Sequence, residues 1–370
     1  MIPSNNPTMN PTNRICFPWK SFAPLLLILV LLVSCSTQAE KQEASHFKTR
    51  GLVLDVHDLS TVDWPRRAKE AGLTTLATHI TPSQVAEFIQ SERGRQFLQE
   101  CKTHGIEVEH ELHSMGDLLP RSLFEEDSTM FRMNEEGKRV ADYNLCVHSE
   151  KAVKTVCDNA VKYAKILTPT TGRYFYWIDD AVPMCRCPEC SPYSDSEQAL
   201  LLENAIVNAL RKEVDPEAML AHLAYVNTLE APVKVKPAPG IFLEFAPIYR
   251  RWDKSLLDTG ATGWNDTQTI THGEHLRLLD ENLKVFPAET AQVLEYWLDV
   301  SLFSGWKKPA VALPWHPEVF LEDIDVYAKR GIRHITSFGV YIDDQYIKNH
   351  PDLTFVNEYG KGLEYYRLRQ

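Results

Sequence analysis

The clearest pattern along this chain is a series of eight short runs of apolar, β-branched and aromatic residues. Runs of roughly four to eight such residues, bounded by polar or turn-forming positions, are typical of buried strands. The runs occupy residues 51–56, 74–80, 106–112, 174–178, 219–226, 241–245, 292–300 and 332–340. The pattern therefore predicts eight strands.

Amphipathic helices are predicted between several of these strands, because apolar residues recur at helical spacing over residues 64–71, 83–103, 149–167 and 196–214. Alternating strands and helices are typical of parallel α/β folds, and eight such units predict a TIM-type (β/α)₈ barrel. An open doubly wound sheet is the alternative, but no Gly-x-Gly-x-x-Gly turn follows the first strand. We therefore predict an α/β fold with one (β/α)₈-like domain over residues 49–370.

The third connection, which runs from His113 to the helix near Ser149, is unusually long. Its residues 131–140 carry Glu136-Gly137 at their centre, which predicts a hairpin turn. In the strand before it, Glu107 and Glu109 alternate with apolar residues, and we expect both to face the surrounding helices. Long loops at the mouth of a barrel are usually functional.

The first 34 residues predict an export signal, because Arg14 and Lys20 precede an apolar run at 25–33 that is too short to span a bilayer. This run ends in Leu-Val-Ser-Cys35, which resembles the bacterial lipobox and implies that Cys35 becomes the lipidated first residue of the mature chain. An ordinary secretory signal is the alternative. Residues 35–48 would then form a polar tether. The serine after Cys35 favours sorting to the outer membrane if the host is Gram-negative.

The charge of the chain bears on its partners. The formal net charge is −11, and the signal contributes two cations and no acids, so the mature chain carries −13. Such a balance argues against a nucleic-acid partner. A lipid anchor, and not a basic surface, would therefore hold the protein at the cell envelope.

The leading candidates for chemistry are Asp179 and Asp180, which follow the aromatic run at 174–178. A buried strand that ends in two adjacent carboxylates delivers them to the mouth of a parallel barrel, where such folds place their chemistry. The alternative is that one aspartate caps the next turn and the other is simply solvated.

Other predicted strands also end in polar or aromatic residues, and a barrel would bring these ends to one cleft. Carboxyl groups that face one another across aromatic walls are what glycoside hydrolysis requires. We therefore predict Asp179, Asp180 and Glu295 as catalytic residues. The predicted substrate contacts are Asp55, His57, His113, Trp177, Tyr225, Glu244, Tyr296 and Asp299, and further sugar-binding ring faces could come from Trp252, Trp297, Trp306 and Trp315.

Four cysteines form a separate candidate site. Cys185, Cys187 and Cys190 lie within six residues, and Cys146 is a candidate fourth member. This spacing suits tetrahedral thiolate coordination of a structural zinc ion, whereas export also permits disulfides, and both alternatives stay open. A metal-dependent hydrolase that uses this cluster is a further hypothesis, although all-cysteine sites usually leave no open position for water.

Several of these residues together resemble the bacterial family catalogued as domain of unknown function 4838. They are Cys146, the Asp179-Asp180 strand end, the Cys-x-Cys-x-x-Cys motif, Leu223-Ala-Tyr225 and Glu295-Tyr296-Trp297, and the resemblance extends from about His113 to Ser304. It implies a (β/α)-barrel related to glycoside hydrolases. More distantly, the chain resembles family-20 hexosaminidases, whose fourth strand ends in Asp-Glu, where the Asp orients a 2-acetamido group and the Glu is the acid.

These observations lead to a hypothesis of glycan hydrolysis at the cell envelope, with no cofactor for catalysis. Asp180 would donate the proton, Asp179 would position it or the substrate, and Glu295 would be the opposing carboxylate. In a substrate-assisted route, Tyr225 or Tyr296 would position an acetamido group. The rival hypothesis is a carbohydrate-binding barrel that catalyses nothing.

The lipobox leads to a first prediction. Cys35→Ala should leave the exported protein soluble and without lipid, because the acceptor thiol is lost. Cys16→Ala, within the predicted signal, is the matched control and should keep the anchor. Membrane fractionation with intact-mass analysis measures both, and a mature wild-type chain that begins elsewhere without lipid would contradict the prediction.

Overall fold

The computed structural model describes residues 44–142, 144–180, 182–263 and 270–368. The predicted signal at 1–34, the predicted lipidation site Cys35 and most of the predicted tether lie outside these residues. Within the described part of the chain, no helix is long and apolar enough to cross a membrane.

Eight parallel strands close into a barrel, in which each strand pairs with its neighbour in sequence and the last pairs with the first. This confirms all eight predicted strands and the α/β, TIM-type (β/α)₈ fold. The strands are β1 (Thr49–Asp55), β2 (Thr75–Ile80), β3 (Glu107–His113), β4 (Arg173–Trp177), β5 (Met219–Ala224), β6 (Ile241–Phe245), β7 (Gln292–Glu295) and β8 (His334–Phe338).

The described residues include thirteen α-helices, the longest of which cover the outside of the barrel. In chain order they are α1 (Val56–Thr61), α2 (Trp64–Ala71), α3 (Pro82–Gln90), α4 (Glu92–His104), α5 (Met115–Leu118), α6 (Leu123–Glu126), α7 (Glu150–Ala164), α8 (Asp195–Glu213), α9 (His272–Asn282), α10 (Val300–Phe303), α11 (Pro317–Lys329), α12 (Asp344–Asn349) and α13 (Thr354–Tyr365). Three of the four predicted helices match α2, α7 and α8 to within three residues.

Two predicted elements differ most from their hydrophobic patterns. The helix predicted at 83–103 is two helices, because Ser91 is extended and its Oγ accepts the N–H of Gly94 at 3.0 Å as the N-cap of α4. A Cβ at Gly94 would lie 1.8 Å from the carbonyl oxygen of Phe88, so only glycine permits this approach. The strand predicted at 292–300 ends at Glu295, and Asp299 then caps α10.

The hairpin predicted at 131–140 is confirmed as a short antiparallel pair. Met133 pairs with Arg139, and the N–H of Asn134 donates to the carbonyl oxygen of Lys138 at 2.8 Å. Gly137 takes φ +74°, which the turn requires and which glycine adopts without strain.

The folded unit begins at Ala44, before the predicted domain boundary at residue 49. The side chain of Phe47 is 1% exposed, and its ring lies 5.2 Å from that of Tyr366. The N–H of Lys48 donates to the carbonyl oxygen of Arg333 at 2.8 Å. Residues 44–48 therefore belong to the fold and not to the predicted tether, because their packing removes an aromatic ring from water.

Polar side chains occupy the inside of the barrel below its mouth. Arg173 Nη2 donates to Gln292 Oε1 at 3.1 Å, Gln292 Nε2 donates to Glu111 Oε1 at 3.1 Å, and Arg173 Nε lies 3.6 Å from Glu109 Oε1. The expectation that Glu109 faces the helices is wrong, because alternation along β3 places Glu109 and Glu111 on the same, inner face. Glu107 is exposed at the start of the strand.

A second charged cluster lies outside the barrel wall, where α11 packs against β7. Arg250 Nη1 donates to Glu295 Oε1 at 2.8 Å and Nη2 donates to Asp323 Oδ2 at 2.5 Å, with all three side chains 0% exposed. The hydroxyl of Tyr327 also donates to Glu295. Leu294 faces the mouth and Glu295 faces α11, since neighbouring strand residues point to opposite sides. The prediction of Glu295 as the opposing carboxylate in the cleft is therefore wrong.

This cluster generates a stability prediction. Arg250→Met should lower the free energy of unfolding by about 3–5 kcal/mol, because it leaves two buried carboxyl groups without their cation. Arg66→Met is the matched control, since Arg66 makes two ion pairs on the exposed surface of α2 and should change stability far less. Urea unfolding of both variants measures the difference, and equal losses would contradict the role of the buried cluster.

Candidate active site

A cleft of about 360 Å³ opens at the carboxyl ends of the strands, which is the face where TIM barrels carry their sites. Its lining combines apolar ring faces with carboxyl groups and imidazoles, so it can contact both the apolar and the hydroxyl-bearing parts of a polar ligand. The chemically distinctive lining residues are Trp177, Tyr225, Tyr296, Trp306, Phe338, Tyr341, Asp55, Asp180, Asp299, His79 and His113.

Backbone strain is concentrated around this cleft. Among the described residues, four that are not glycine have positive φ, namely Ile80 (133°), Val226 (43°), Trp306 (55°) and Tyr341 (75°). Three of them line the cleft, and Val226 directly follows the lining residue Tyr225. Such conformations persist only where the surrounding structure imposes them, and they cluster at functional sites.

Asp180 and Tyr225 form one wall of the cleft. Asp180 follows β4 and its side chain is exposed to the cleft, whereas Tyr225 follows β5. Burial, and then the charge of nearby Asp180, raises the pKa of the Tyr225 phenol. Tyr225 therefore keeps its proton beside Asp180. The structure brings these two sequence-predicted residues together.

Asp179 lines a smaller pocket beside the cleft and not the cleft itself. Its backbone N–H donates to Asn144 Oδ1 at 3.0 Å, and burial raises the pKa of its half-buried carboxyl group to about 6. The small pocket shares His113, Asp180 and Tyr225 with the cleft. The Asp179 side chain therefore lies behind the part of the cleft wall that Asp180 forms.

Asp299 supplies a second carboxyl group on the β7 side of the cleft. It is 5% exposed, and as the N-cap of α10 its Oδ1 accepts hydrogen bonds from Ser301 Oγ at 2.5 Å and Leu302 N–H at 3.1 Å. Burial raises its pKa to about 6. Tyr296, whose ring lies 5.3 Å from that of Phe338, lines the same side. A cleft carboxyl that keeps its proton up to about pH 6 can act as an acid near neutrality.

The floor of the cleft is the ring of Trp177, which is held from below. Its Nε1 donates to Glu244 Oε2 at 2.7 Å, and the rings of His79 and His113 pack against it at 5.6 and 5.3 Å. Glu244 is 0% exposed, and burial raises its pKa to about 8. The predicted substrate contact for Glu244 is wrong, because Trp177 separates it from the cleft.

The two cleft histidines stay neutral. Burial lowers the pKa of His79 to about 3, and its Nδ1 is 2.8 Å from the carbonyl oxygen of Glu111. Burial also lowers the pKa of His113, against the charge of Asp180, and His113 Nδ1 has no hydrogen-bond partner among the described residues. The site prediction included His113 and omitted His79, although its place at the end of β2 was the signal that could have identified it.

Two predicted substrate contacts near β1 separate in the structure. Asp55 lines the cleft, and its Oδ1 accepts the N–H of Asp58 at 2.8 Å as the N-cap of α1. His57 lies two residues later with its side chain 57% exposed, and its Nε2 is 3.4 Å from Asp343 Oδ2. It borders a different pocket, so the prediction that His57 contacts substrate in this cleft is wrong.

Of the tryptophans expected to offer ring faces, Trp177 and Trp306 line the cleft, and Trp306 is 56% exposed. Trp252 lies behind the lining against Tyr296, with ring centroids 5.6 Å apart. The remaining two pack against Phe320 on α11, outside the barrel, and are Trp297 and Trp315. Two cleft residues that were not predicted are Ser301, in the four-residue helix α10, and Tyr341, in a turn, where the sequence has no distinguishing pattern.

The four predicted cysteines come together away from the cleft. The sulfur atoms of Cys146, Cys185, Cys187 and Cys190 all lie within 4.8 Å of one another, and all four residues are buried. No disulfide joins them, and none of them lines the cleft in the described structure. The hypothesis of a hydrolase that uses this cluster as its catalytic metal site therefore gains no support from the geometry.

Solved structures of one glycoside hydrolase share the barrel fold of this chain. A glycoside hydrolase family 5 enzyme from Prevotella bryantii B14 matches with a TM-score of 0.50 and 10% identity, over 87% of this chain and 99% of that one. A mutant of the same enzyme, in complex with a xyloglucan tetradecasaccharide, matches with a TM-score of 0.50 and 11% identity over the same shares. At these identities the likeness shows a shared fold.

No curated protein matches this chain in sequence. The family model described as Domain of unknown function (DUF4838) matches residues 33–287. This match covers more than half of the chain and confirms the resemblance found in its motifs. The protein therefore belongs to the DUF4838 family, and its fold is a TIM-type (β/α)₈ barrel.

Proposed function

We propose that this protein is a glycoside hydrolase that cleaves a surface or periplasmic glycan in the cleft at the barrel mouth. The observation that carries the proposal is that Asp180 and Asp299 line one cleft together with the ring faces of Trp177, Tyr225 and Tyr296. Ring faces bind the C–H surfaces of sugars, and a pair of carboxyl groups performs the acid and base steps of hydrolysis. The xyloglucan complex of the Prevotella enzyme supports a glycan as the class of ligand.

Asp299 takes the place that Glu295 was expected to fill. Glu295 is sealed behind the barrel wall by Arg250, whereas Asp299 lies four residues later and reaches the cleft. The second carboxyl group of a hydrolase needs only one oxygen that is free of other hydrogen bonds, because one oxygen suffices for proton transfer. The two hydrogen bonds of the helix cap, from Ser301 Oγ and the Leu302 N–H, both go to Asp299 Oδ1.

The environments of the two carboxyl groups assign their roles. Burial raises the pKa of Asp299 to about 6, so this group carries the proton that the leaving oxygen needs. Asp180 is exposed at the same cleft, so it is the opposing group that stabilises positive charge at the sugar. These roles differ from those inferred from sequence, where Asp180 was the donor. Asp179 positions the Asp180 loop from the adjacent pocket.

We also propose that the activity resides at the cell envelope, through the lipid anchor at Cys35. The export signal and the lipobox-like tetrapeptide are the supporting features. The mature chain carries a formal charge of −13, which does not predict a basic surface that could bind a membrane. Membrane attachment would therefore rely on acylation.

A screen of aryl glycosides and bacterial polysaccharides, with and without a 2-acetamido group, tests the function directly. On any substrate that is turned over, Asp299→Asn should lower kcat by about 10²–10⁴-fold, the usual contribution of general acid catalysis. The amide keeps the Oδ1 acceptor of the helix cap, so the fold should survive. Asp344→Asn, an exposed acid that does not line the cleft, is the matched control and should retain full activity.

Three results would redirect this proposal. Unchanged turnover in both Asp299→Asn and Asp180→Asn would remove the carboxyl mechanism. Saturable glycan binding by the wild-type protein, without turnover of any substrate in the screen, would establish the carbohydrate-binding barrel instead. Activity confined to 2-acetamido sugars that survives Asp180→Asn would indicate substrate assistance.

The raised pKa of Asp299 predicts the pH dependence of kcat/KM. An acid must be protonated to donate, so kcat/KM should fall as the pH rises through about 6, with a limiting slope of about tenfold per pH unit. Asp179→Asn is the matched control, because the pKa of Asp179 is also raised to about 6 but its side chain lies outside the cleft. The descending limb should persist in Asp179→Asn and vanish in Asp299→Asn, and the reverse pattern would transfer the acid role to Asp179.

A further inference from the structure

The four buried cysteines have the spacing of a metal site. Cys146 Sγ lies 3.7 Å from Cys187 Sγ and 3.8 Å from Cys190 Sγ. A disulfide would require a separation of about 2.05 Å. A tetrahedral zinc ion with Zn–S bonds of about 2.3 Å places its sulfur ligands roughly 3.8 Å apart. The thiols are therefore arranged around a common centre and not in bonded pairs.

The groups around these thiols are suited to a buried negative charge. Cys185 Sγ accepts the N–H of Met133 at 3.2 Å and lies 3.6 Å from Arg139 Nη1. The Nδ1 atom of His148 lies 3.2 Å from Cys190 Sγ. A zinc ion with four thiolates carries a net charge of −2, and N–H donors and a guanidinium next to the sulfurs stabilise such a centre.

The cysteines join two loops of the barrel mouth. Cys146 belongs to the long β3–α7 connection, and Cys185, Cys187 and Cys190 belong to the β4–α8 connection that also contains Asp179. On α8, Gln198 Nε2 donates to the carbonyl oxygens of Cys185 and Cys190 and so holds this second loop from behind. The Arg186 N–H donates to the carbonyl oxygen of Met133 at 2.8 Å, so the two loops meet directly beside the thiols. The thiol cluster therefore lies at the junction of the two loops.

Asn144, two residues before Cys146, connects the cluster to the acidic pair. It is 0% exposed, and its Oδ1 accepts the N–H of Asp179 at 3.0 Å. Its Nδ2 donates to the carbonyl oxygens of Val182 at 2.8 Å and Pro183 at 3.3 Å. One amide side chain thus binds the backbone on both sides of Asp180.

We propose that Cys146, Cys185, Cys187 and Cys190 bind one Zn²⁺ ion, and that this ion fixes Asn144 and thereby the position of Asp179 and Asp180 at the cleft. The ion is structural, because four protein thiolates complete its coordination and leave no place for water. Asn144 is a positioning residue. Its effect on rate rests on the proposed function, whereas metal binding and loop order do not.

Metal analysis of the purified full-length protein tests the first part of the proposal, the binding of zinc. We expect one zinc ion per chain, lost in Cys187→Ser and retained in the matched controls Cys101→Ser and Cys157→Ser, whose thiols lie outside the cluster. Should Cys187→Ser fail to fold, exchange of Co²⁺ into the wild-type protein should give the thiolate-to-cobalt charge-transfer absorption of a tetrathiolate site. A wild-type chain without metal, with a mass lower by the four hydrogens of two disulfides, would overturn the proposal.

Amide hydrogen exchange tests the second part of the proposal, the positioning role of Asn144, and does not require a substrate that is turned over. Segment 174–184, which contains the Asp179 N–H, should exchange about tenfold faster in Asn144→Ala and after zinc removal by a chelator, because a buried hydrogen bond is lost. Strand β8 is the internal control and should not change. Asn144→Ala should still hold one zinc ion.

The results separate this inference from the proposed function. Unchanged exchange in both Asn144→Ala and the metal-free protein would overturn the positioning role. Zinc binding with the expected exchange, but without turnover of any glycoside, would leave this inference standing and count against the hydrolase. If turnover is found, Asn144→Ala should lower kcat by about tenfold with little change in KM, since it misplaces the carboxylate and leaves the binding rings intact.

Discussion

The guanidinium of Arg173 is the group on which the interior of this barrel depends. It is buried among Glu109, Glu111 and Glu244, and it stacks over the ring of Phe242 with its central carbon 3.8 Å from the ring centroid. Burial raises the pKa of Glu111 and of Glu244, and the charge of Arg173 opposes both shifts. Buried carboxyl groups are tolerated only with a partner, so this one cation permits a polar layer where most barrels are apolar.

The polar layer reaches the cleft through one hydrogen bond. Glu244 accepts the indole N–H of Trp177, and the Trp177 ring then supports His79 and His113. The cleft floor is thus fixed from below by charge and covered above by aromatic rings. In such a dry setting, burial keeps protons on carboxyl groups, as it does at Asp299, and removes them from imidazoles, as it does at His79. The same physical cause therefore supplies the site with a neutral acid and neutral hydrogen-bonding histidines.

The walls of the cleft depend on loops and not on the barrel alone. Asp180 lies in a loop whose backbone is bound by Asn144, and that loop is joined to its neighbour at the buried thiols. Asp299 is held by the first turn of α10, where its carboxylate is also the helix cap. Positioning of this kind requires contacts between segments that are far apart in sequence, and such contacts hold a functional group in one orientation.

The sequence by itself determined the eight strands, their order, the acidic pair after β4 and the grouping of the four cysteines, because hydrophobic period and residue spacing are local properties. It placed Asp55, Asp180, Tyr225, Tyr296 and Asp299 near the barrel mouth for the same reason. Only the tertiary structure decided which side of the wall each acid faces. Glu295 and Glu244 carry the same chemistry as Asp299, but strand direction and the buried partners Arg250 and Trp177 remove them from the cleft. Arg250 and Trp177 are remote in sequence from these acids, and the end of β7 at Glu295 is set by the cap at Asp299. No local pattern could therefore show which side of the wall each acid faces.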